Sequence, residues 1–471
     1  MLKYRNDREK NIFKTLSKYK NEHVLYFWNE IGDKKKEKLL NEIENIDFKL
    51  INFLYKKFKN NKNRKLNLEQ TNYLSINERS KELKSIGINA LKANQVAFLT
   101  VAGGQGSRLG YDHPKGFYPT SPVKNKSLFQ IFAEKIKFYS NYYKVDLNWY
   151  IMTSEFNYQE IVDYFNKRKY FGLNKNNVSF FRQGMFPSLT TEGKLILSEK
   201  DTIFKNPDGH GGILKALLKS GLLKKIIKQK IKHLSYFQVD NPMINMADPY
   251  FIGFHIKQKS MVSSKVIKKL YPEEKLGVIG KINGKNNVIE YSDLSENDMY
   301  AKNDNNELKY LMGSIAIHIF NVDFLNKFTK KMPIHFAQKK IKGYDFTENK
   351  SPRITDLDGI KFETFVFDAI PFAKKSVFFE TEREVEFFPV KNKSGIDSIE
   401  TSIAGQSKLF VNWLRSVGAW NGKYYNQKVE ISPLYAPDKE LFLEKADKDT
   451  DKINKAVFDE KGKIRDKIYI E

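Results

Sequence analysis

The sequence predicts an α/β protein built around a parallel, doubly wound sheet, and three observations predict it. Val96, Ala97, Phe98, Leu99 and Val101 form a short apolar run, as in a strand covered on both faces. Glycines follow it at once, at Gly103, Gly104 and Gly106. Helical and strand patterns then alternate: Ser127–Tyr143 helical, Asn148–Thr153 a strand, Asn157–Phe165 helical, Val178–Arg182 a strand. Ligands of such sheets sit outside the C-terminal strand ends, where the glycine loop and Gln183 should lie.

Before the first strand, Met1–Asn89 looks helical, with apolar residues such as Leu39, Leu40, Ile43 and Ile46 at three- and four-residue spacing. This reads as an N-terminal helical part over residues 1–92, bounded by Gly87 and the strand at Val96. Glycines at 103, 104 and 106 allow a tight turn and bring backbone N–H groups against a ligand. Amides converging there attract anions, phosphate above all, and Arg108 and Lys115 add fixed positive charge. A P-loop is excluded, because no Gly-Lys pair is followed by Ser or Thr. A dinucleotide fingerprint fails too, since Gly104, Gly106 and Gly110 miss its spacing by one residue.

Further along, Gln183 can read a base edge with its amide or bond to its own backbone. Asn206–Gly212, with Pro207 and three glycines, is an irregular loop before a predicted helix over Ile213–Leu223, again an anion or polar-ligand seat. His210 is its only imidazole; a phosphate oxygen is already ionised and attacks without a base, so His210 reads as a hydrogen-bond contact rather than a base. Leu234–Val239 is a strand ending in Asp240-Asn241-Pro242. Asp240 is placed to hold Mg²⁺ (or Mn²⁺), or to cap a turn before the proline. Leu276–Ile282 and Asn287–Tyr291 form a hairpin through Asn283-Gly284, with Glu290 on the return strand. Gly359–Phe372 and Glu386–Lys391 complete a central block over 93–398, in which Lys361 and Lys391 can converge on phosphate. Residues 399–471 read as a small C-terminal domain: a helix around Leu409–Val417, then strands near VEISPL and KIYIE.

Composition bounds the possibilities. The chain is long enough for two or three domains, and no cysteine is present, which rules out disulfides and thiolate chemistry. No apolar run approaches membrane-spanning length and no signal-peptide pattern opens the chain, so a cytoplasmic protein with no membrane partner is expected. Lys and Arg outnumber Asp and Glu, 81 − 56 = +25. The lysines are scattered among asparagines, as on a solvated surface, so no nucleic-acid partner is expected; the excess suits phosphate substrates.

The pieces AGGQGSRLG with PKG, SLFQIFAEKI, FFRQGMFP, PDGHGG, VDNPMINMADPYFIGF, KLGVIGKINGKNNVIEYSDL, GIKFETFVFDAIPFAKK and REVEFFPVKN run in order through the chain. Together they resemble the eukaryotic-type UDP-N-acetylhexosamine pyrophosphorylases, within the UDP-sugar pyrophosphorylases. The resemblance implies an α/β, Rossmann-like GT-A nucleotidyltransferase domain with a mixed sheet, set between the helical part and a small α+β domain. It implies uridylyl transfer from UTP to N-acetylglucosamine 1-phosphate with release of pyrophosphate, in a monomer or homodimer. Gly103, Gly104, Gly106 and Arg108 would cradle the nucleotide phosphates and Lys115 the leaving pyrophosphate. Gln183 and Gly209 would contact uracil, Asp240 would bind Mg²⁺ and Glu290 would bond sugar hydroxyls. Phe365 and Phe367 would shape the N-acetyl pocket, and Lys361 and Lys391 would grip the phosphates. Two segments depart from the family: His210 replaces its usual Asn, and GSIAIH replaces GNIANH, with Ser314 and Ile317 in place of asparagines. A Gly-His-Gly loop is similar to that of UDP-glucose and UDP-sugar pyrophosphorylases. Another sugar 1-phosphate (N-acetylgalactosamine or glucose 1-phosphate) is therefore an alternative acceptor. A non-catalytic basic binding protein on the same fold is a further alternative.

Overall fold

The structure, a computed structural model, describes residues 5–60, 67–328, 332–347 and 351–471. They form two compact units. The larger takes in the described residues of 67–183, 213–330 and 369–471, and the smaller those of 1–66, 184–212 and 331–368.

The larger unit is organised on a mixed sheet of ten strands among the described residues. Its centre is parallel and doubly wound: His233–Gln238, Val96–Val101, Trp149–Thr153 and Val178–Arg182 lie side by side in that order. Val96, Phe98, Leu99, Trp149, Tyr150 and Ile151 are fully buried, which explains the unbroken apolar runs. Met312–Asn321 joins antiparallel to His233–Gln238, and Val262–Lys268 joins it in turn. Leu128–Tyr143, capped by Ser127 accepting from the Gln130 N–H, contributes Phe129, Phe132 and Ile136 to the core. The hairpin Val278–Ile282/Lys285–Ile289 turns through Asn283 and Gly284, both with positive φ (52° and 72°), as a two-residue hairpin loop requires.

Four differences from the sequence-based expectations have physical causes. Gly87 is no boundary: it lies inside the helix Lys81–Lys92, where its bare Cα lets the backbone of Pro249 approach. That helix packs on Pro249–Lys257 and so belongs with the sheet. The expected boundaries at 92 and 398 therefore both fall inside the larger unit. Ile399–Ser416 and the parallel strands Lys428–Ile431 and Lys467–Ile470 share its hydrophobic core, through Leu409, Phe410, Val429 and Ile468. The helix expected over Ile213–Leu223 breaks at Gly221 (φ 75°) into Gly212–Lys219 and Leu222–Lys228.

The smaller unit holds the helices Asp7–Lys18, Asp33–Glu44 and Phe48–Lys59, as the spacing predicts, whereas Leu68–Glu69 of the same expected helical part is a strand paired antiparallel with Val278–Ile282 in the larger unit. Residues 1–4 and 61–66 of that expectation lie outside the described residues. The helices pack with a long hairpin, His335–Asp345 against Arg353–Glu363, around Leu16, Leu39, Ile43, Ile360 and Phe362. Gly359–Asp368 thus completes this unit and not the central sheet.

Candidate functional site

In the larger unit, the parallel strands end together at Val101, Thr153, Arg182 and Gln238, and the loop 102–118 starts at that edge. No long helix follows the glycines directly; two short turns, Ser107–Leu109 and Lys115–Phe117, do. The loop is laced to itself: Gly106 N–H donates to His113 O (2.9 Å) and Lys115 N–H to Gly104 O (3.1 Å).

The three glycines serve different ends, and none has positive φ. A Cβ at Gly103 would strike the Gln183 amide oxygen. One at Gly106 would meet Tyr111 O at 2.8 Å. Gly104 is exposed and a Cβ there would enter open space, so its side of the loop is open to a ligand. Asn157, fully buried, ties two strand ends together: its Oδ1 accepts from Ser154 N–H (2.8 Å) and its Nδ2 donates to Ala102 O (3.2 Å). Sequence reasoning missed this residue; an Asn at a helix start reads as an ordinary cap.

Gln183 sits at the end of its strand, 7% exposed, with its N–H donating to Thr153 O (2.9 Å) and its side chain against Gly103. Lys115 Nζ stands 3.8 Å from Asp240 Oδ2, each side chain about one-sixth exposed. The Asx-turn before Pro242 is made by Asn241, whose Oδ1 accepts from Met243 N–H (3.3 Å), and not by Asp240. A carboxylate beside a lysine, on a loop open to phosphates, fits the donor set of a magnesium ion that takes one or two carboxylates and completes its shell from phosphate and water. Val390 N–H donates to Asp240 O (2.8 Å), which brings the Lys391 segment to the same edge. Lys391 Nζ lies 3.5 Å from Asp397 Oδ2. Arg108 is exposed on the loop. Glu290 follows the return strand of the hairpin. Its Oε1 lies 3.6 Å from where a Cβ on Gly277 would stand, and Gly277 O accepts from Ser314 N–H (2.8 Å). Ile317 is buried in the core, 1% exposed.

The smaller unit carries Gly209, His210, Lys361, Phe365 and Phe367, and these are described by themselves. Gly209 has φ 83° and abuts Thr364. The loop 208–212 is docked on the 363–366 turn: Thr364 N–H donates to Asp208 O (2.8 Å) and Gly211 N–H to Thr364 O (2.9 Å). Gly212 N–H donates to Gly209 O (3.0 Å). The anion seat expected at this loop is therefore not formed by Gly211 and Gly212, whose amides are spent on the turn. His210 stacks on Phe365 (centroids 5.3 Å, 19°), and Phe365 stacks in turn on His335 (4.3 Å, 27°). His210 Nδ1 accepts from Val366 N–H (3.2 Å), so its Nε2 carries the proton in the neutral ring. With Nδ1 so engaged, that nitrogen is unfit as a base. His335 Nε2 meets Asp368 Oδ2 at 2.9 Å. Phe367 is 5.2 Å from Phe365. Lys361 lies on the strand Arg353–Glu363, with Nζ 5.7 Å from the Phe204 ring. Lys361 and Lys391 belong to different units.

The family model for UTP–glucose-1-phosphate uridylyltransferases matches residues 48–413. The chain belongs to this family. Among relatives, a UDP-N-acetylglucosamine pyrophosphorylase of Saccharomyces cerevisiae is 37% identical over 367 residues, covering 75% of this chain and 77% of the relative. UDP-N-acetylglucosamine diphosphorylase 2 of Arabidopsis thaliana is 32% identical over 452 residues, covering 90% of this chain and 89% of the relative. The crystal structure of the uridine diphosphate N-acetylglucosamine pyrophosphorylase of Trypanosoma brucei, solved with an inhibitor, superposes with a TM-score of 0.80. It covers 100% of this chain and 99% of that one at 24% identity, and shows the shared fold. Among the described residues, no helix is long and apolar enough to cross a membrane.

Proposed function

We propose that this chain is a uridylyltransferase that forms UDP-N-acetylglucosamine and pyrophosphate from UTP and N-acetylglucosamine 1-phosphate. The observation that carries the reading is the C-terminal edge of the parallel strands. There the Lys115–Asp240 pair stands beside a glycine loop whose Gly104 face is open. The relatives named for this activity are 32% and 37% identical to this chain over 90% and 75% of its length.

The chemistry follows from charge. A phosphate oxygen of the sugar 1-phosphate attacks the α-phosphorus of UTP, a new P–O bond forms, and the bond to the β-phosphate oxygen breaks. The electron pair leaves with pyrophosphate. The nucleophile is already ionised, so no protein base is required. Two polyanions repel each other, so positioning and neutralisation dominate catalysis. Lys115 neutralises the leaving pyrophosphate and Lys391 and Arg108 the reacting phosphates, while the Gly103–Gly106 loop lets the triphosphate approach the backbone. Asp240 would hold Mg²⁺, which when bound supplies further neutralisation of the phosphate oxygens. Gln183 contacts uracil and Glu290 the sugar hydroxyls. The resemblance also assigns substrate-binding roles to Gly209, His210, Lys361, Phe365 and Phe367, all of which belong to the smaller unit. The cytoplasm, where UTP is at hand, is the proposed compartment.

The test follows the phosphorus. UTP labelled at the α-phosphate must deliver its label to the UDP-sugar, and UTP labelled at the γ-phosphate must deliver its label to pyrophosphate. Label from both positions in one product overturns uridylyl transfer. One observation favours a second acceptor: His210, held as an Nε2–H donor by Val366, stands in the PDGHGG loop, where the resemblance implies Asn. Glucose 1-phosphate is therefore the competing substrate.

A further inference from the structure

Two segments of the larger unit carry the charges assigned above, residues 239–246 with Asp240 and residues 386–392 with Lys391. Side chains with no role so far join them. Asn241 is 4% exposed. Its Nδ2 donates to Glu386 O (2.7 Å), and its Oδ1 accepts from Met243 N–H (3.3 Å) and from Phe388 N–H (3.2 Å). One amide thus closes its own turn and grips the opposite segment at both ends of the stretch 386–388. Val390 N–H to Asp240 O continues the same ladder at 2.8 Å.

Behind this clamp lies a buried ionic anchor. Lys265 is fully buried, and its Nζ meets both carboxylate oxygens of Glu386 (2.8 and 2.7 Å) and Asp248 Oδ2 (2.8 Å). Glu386 also accepts from Asn245 N–H (2.9 Å) and from the Thr381 hydroxyl (2.8 Å), so it too holds both segments. Lys135 Nζ donates to Pro242 O and Ile244 O, each at 2.9 Å. A buried ion pair is weak as a source of stability, because desolvation offsets its attraction. Its directional bonds fix geometry, and those of Glu386 and Lys135 converge on the two stretches beside Asp240 and Lys391.

We propose that Asn241 is a positioning residue, whose amide locks the turn bearing Asp240 to the segment bearing Lys391, with the Lys265–Glu386 pair as its anchor. Asn241 acts through the two segments and not on substrate. What the aligned charges accomplish rests on the uridylyl-transfer reading; the lock itself does not.

The full chain carrying Asn241→Ala or Asn241→Asp tests the lock. Aspartate keeps the volume and both acceptor bonds but replaces the donor to Glu386 O with a repelling oxygen, which keeps the test open where the alanine variant fails to fold. The first readout is amide hydrogen exchange, compared between Val390 and the core strand Val96–Val101. Expected is exchange at Val390 faster by about 10-fold or more, with the core strand unchanged, since one restraining bond is lost locally. The second readout is pyrophosphate release. Here kcat falls by up to about 100-fold, while KM for the sugar phosphate stays within about threefold and the Mg²⁺ concentration for half-maximal rate rises. Unchanged exchange at Val390 overturns the proposal. So does exchange raised equally across Val96–Val101, with kcat falling only in step with melting temperature. A wild-type chain that releases no pyrophosphate refutes the uridylyl-transfer reading and leaves the exchange result to decide the lock.

Discussion

The strand-end edge of the larger unit and the aromatic stack of the smaller unit are built on opposite terms. At the edge, charged groups line an open loop: Arg108 is exposed, Gly104 faces open space, and Lys115 and Asp240 stand 3.8 Å apart without closing on each other. In the stack, His210, Phe365 and His335 lie ring on ring, and the backbone amides of Gly211, Gly212 and Val366 already have partners. In the proposed reading the first arrangement handles phosphate charge. The second offers planar surface and one oriented imidazole N–H, which suits recognition of a neutral group. The difference teaches that chemistry and selectivity can be broken separately.

The largest expected effect is on charge. Lys115→Ala and Lys391→Ala each lower kcat for pyrophosphate release by about 100- to 1,000-fold, the scale for removing a group that stabilises transition-state charge. Melting temperature stays near wild type, because neither side chain is buried in a core. A variant with wild-type rate removes its lysine from the mechanism.

Breaking the stack acts on selectivity first. Phe365→Ala loses three ring contacts, to His210, His335 and Phe367, worth about 1 kcal/mol each, and raises KM for the sugar phosphate by about 10-fold while kcat falls less. His210→Asn shifts the ratio of kcat/KM for N-acetylglucosamine 1-phosphate over glucose 1-phosphate upward. An unchanged ratio removes His210 from specificity.

The glycines sharpen the comparison. Gly103→Ala forces Gln183 aside and lowers both melting temperature and activity, whereas Gly104→Ala leaves melting unchanged and weakens UTP binding alone. Calorimetry and UTP titration of the two variants separate packing from ligand approach.

The smallest effect is on the pH dependence of stability. Burial pushes the Lys135 ammonium down to about 7 from its ordinary 10.5. Between those values the unfolded chain holds a proton that the folded chain lacks, so this lysine makes stability rise with pH across the window. Burial raises Asp438 to about 6 from 3.8. The folded chain then holds the extra proton, and stability falls as pH rises from 3.8 to 6. Urea midpoints of Lys135→Met between pH 7 and 10 lose the rising component; a slope equal to wild type contradicts the assignment.

Among the parallel strands Val96–Val101 and Trp149–Thr153 were legible because they are almost continuously apolar, and the Asn283-Gly284 hairpin because its turn residues demand positive φ. The glycine loop was legible as a site, though not the division of labour among Gly103, Gly104 and Gly106, which depends on what stands opposite each. The hairpin His335–Asp345/Arg353–Glu363 stayed hidden. Its strands are largely polar, with cross-strand pairs such as Lys340–Asp358 (2.8 Å), so the two-residue apolar alternation is faint. Lys265 and Asn241 were invisible for a similar reason. A lysine reads as surface and an Asn before proline as a turn, until tertiary packing supplies Glu386 to both.

One measurement reaches the central claim most directly: pyrophosphate release from UTP and Mg²⁺ with N-acetylglucosamine, N-acetylgalactosamine and glucose 1-phosphates in parallel. The account predicts release with all the acceptors it turns over and the highest kcat/KM for N-acetylglucosamine 1-phosphate. Release with none of the three contradicts uridylyl transfer, and a preference for glucose 1-phosphate contradicts the named acceptor while keeping the reaction.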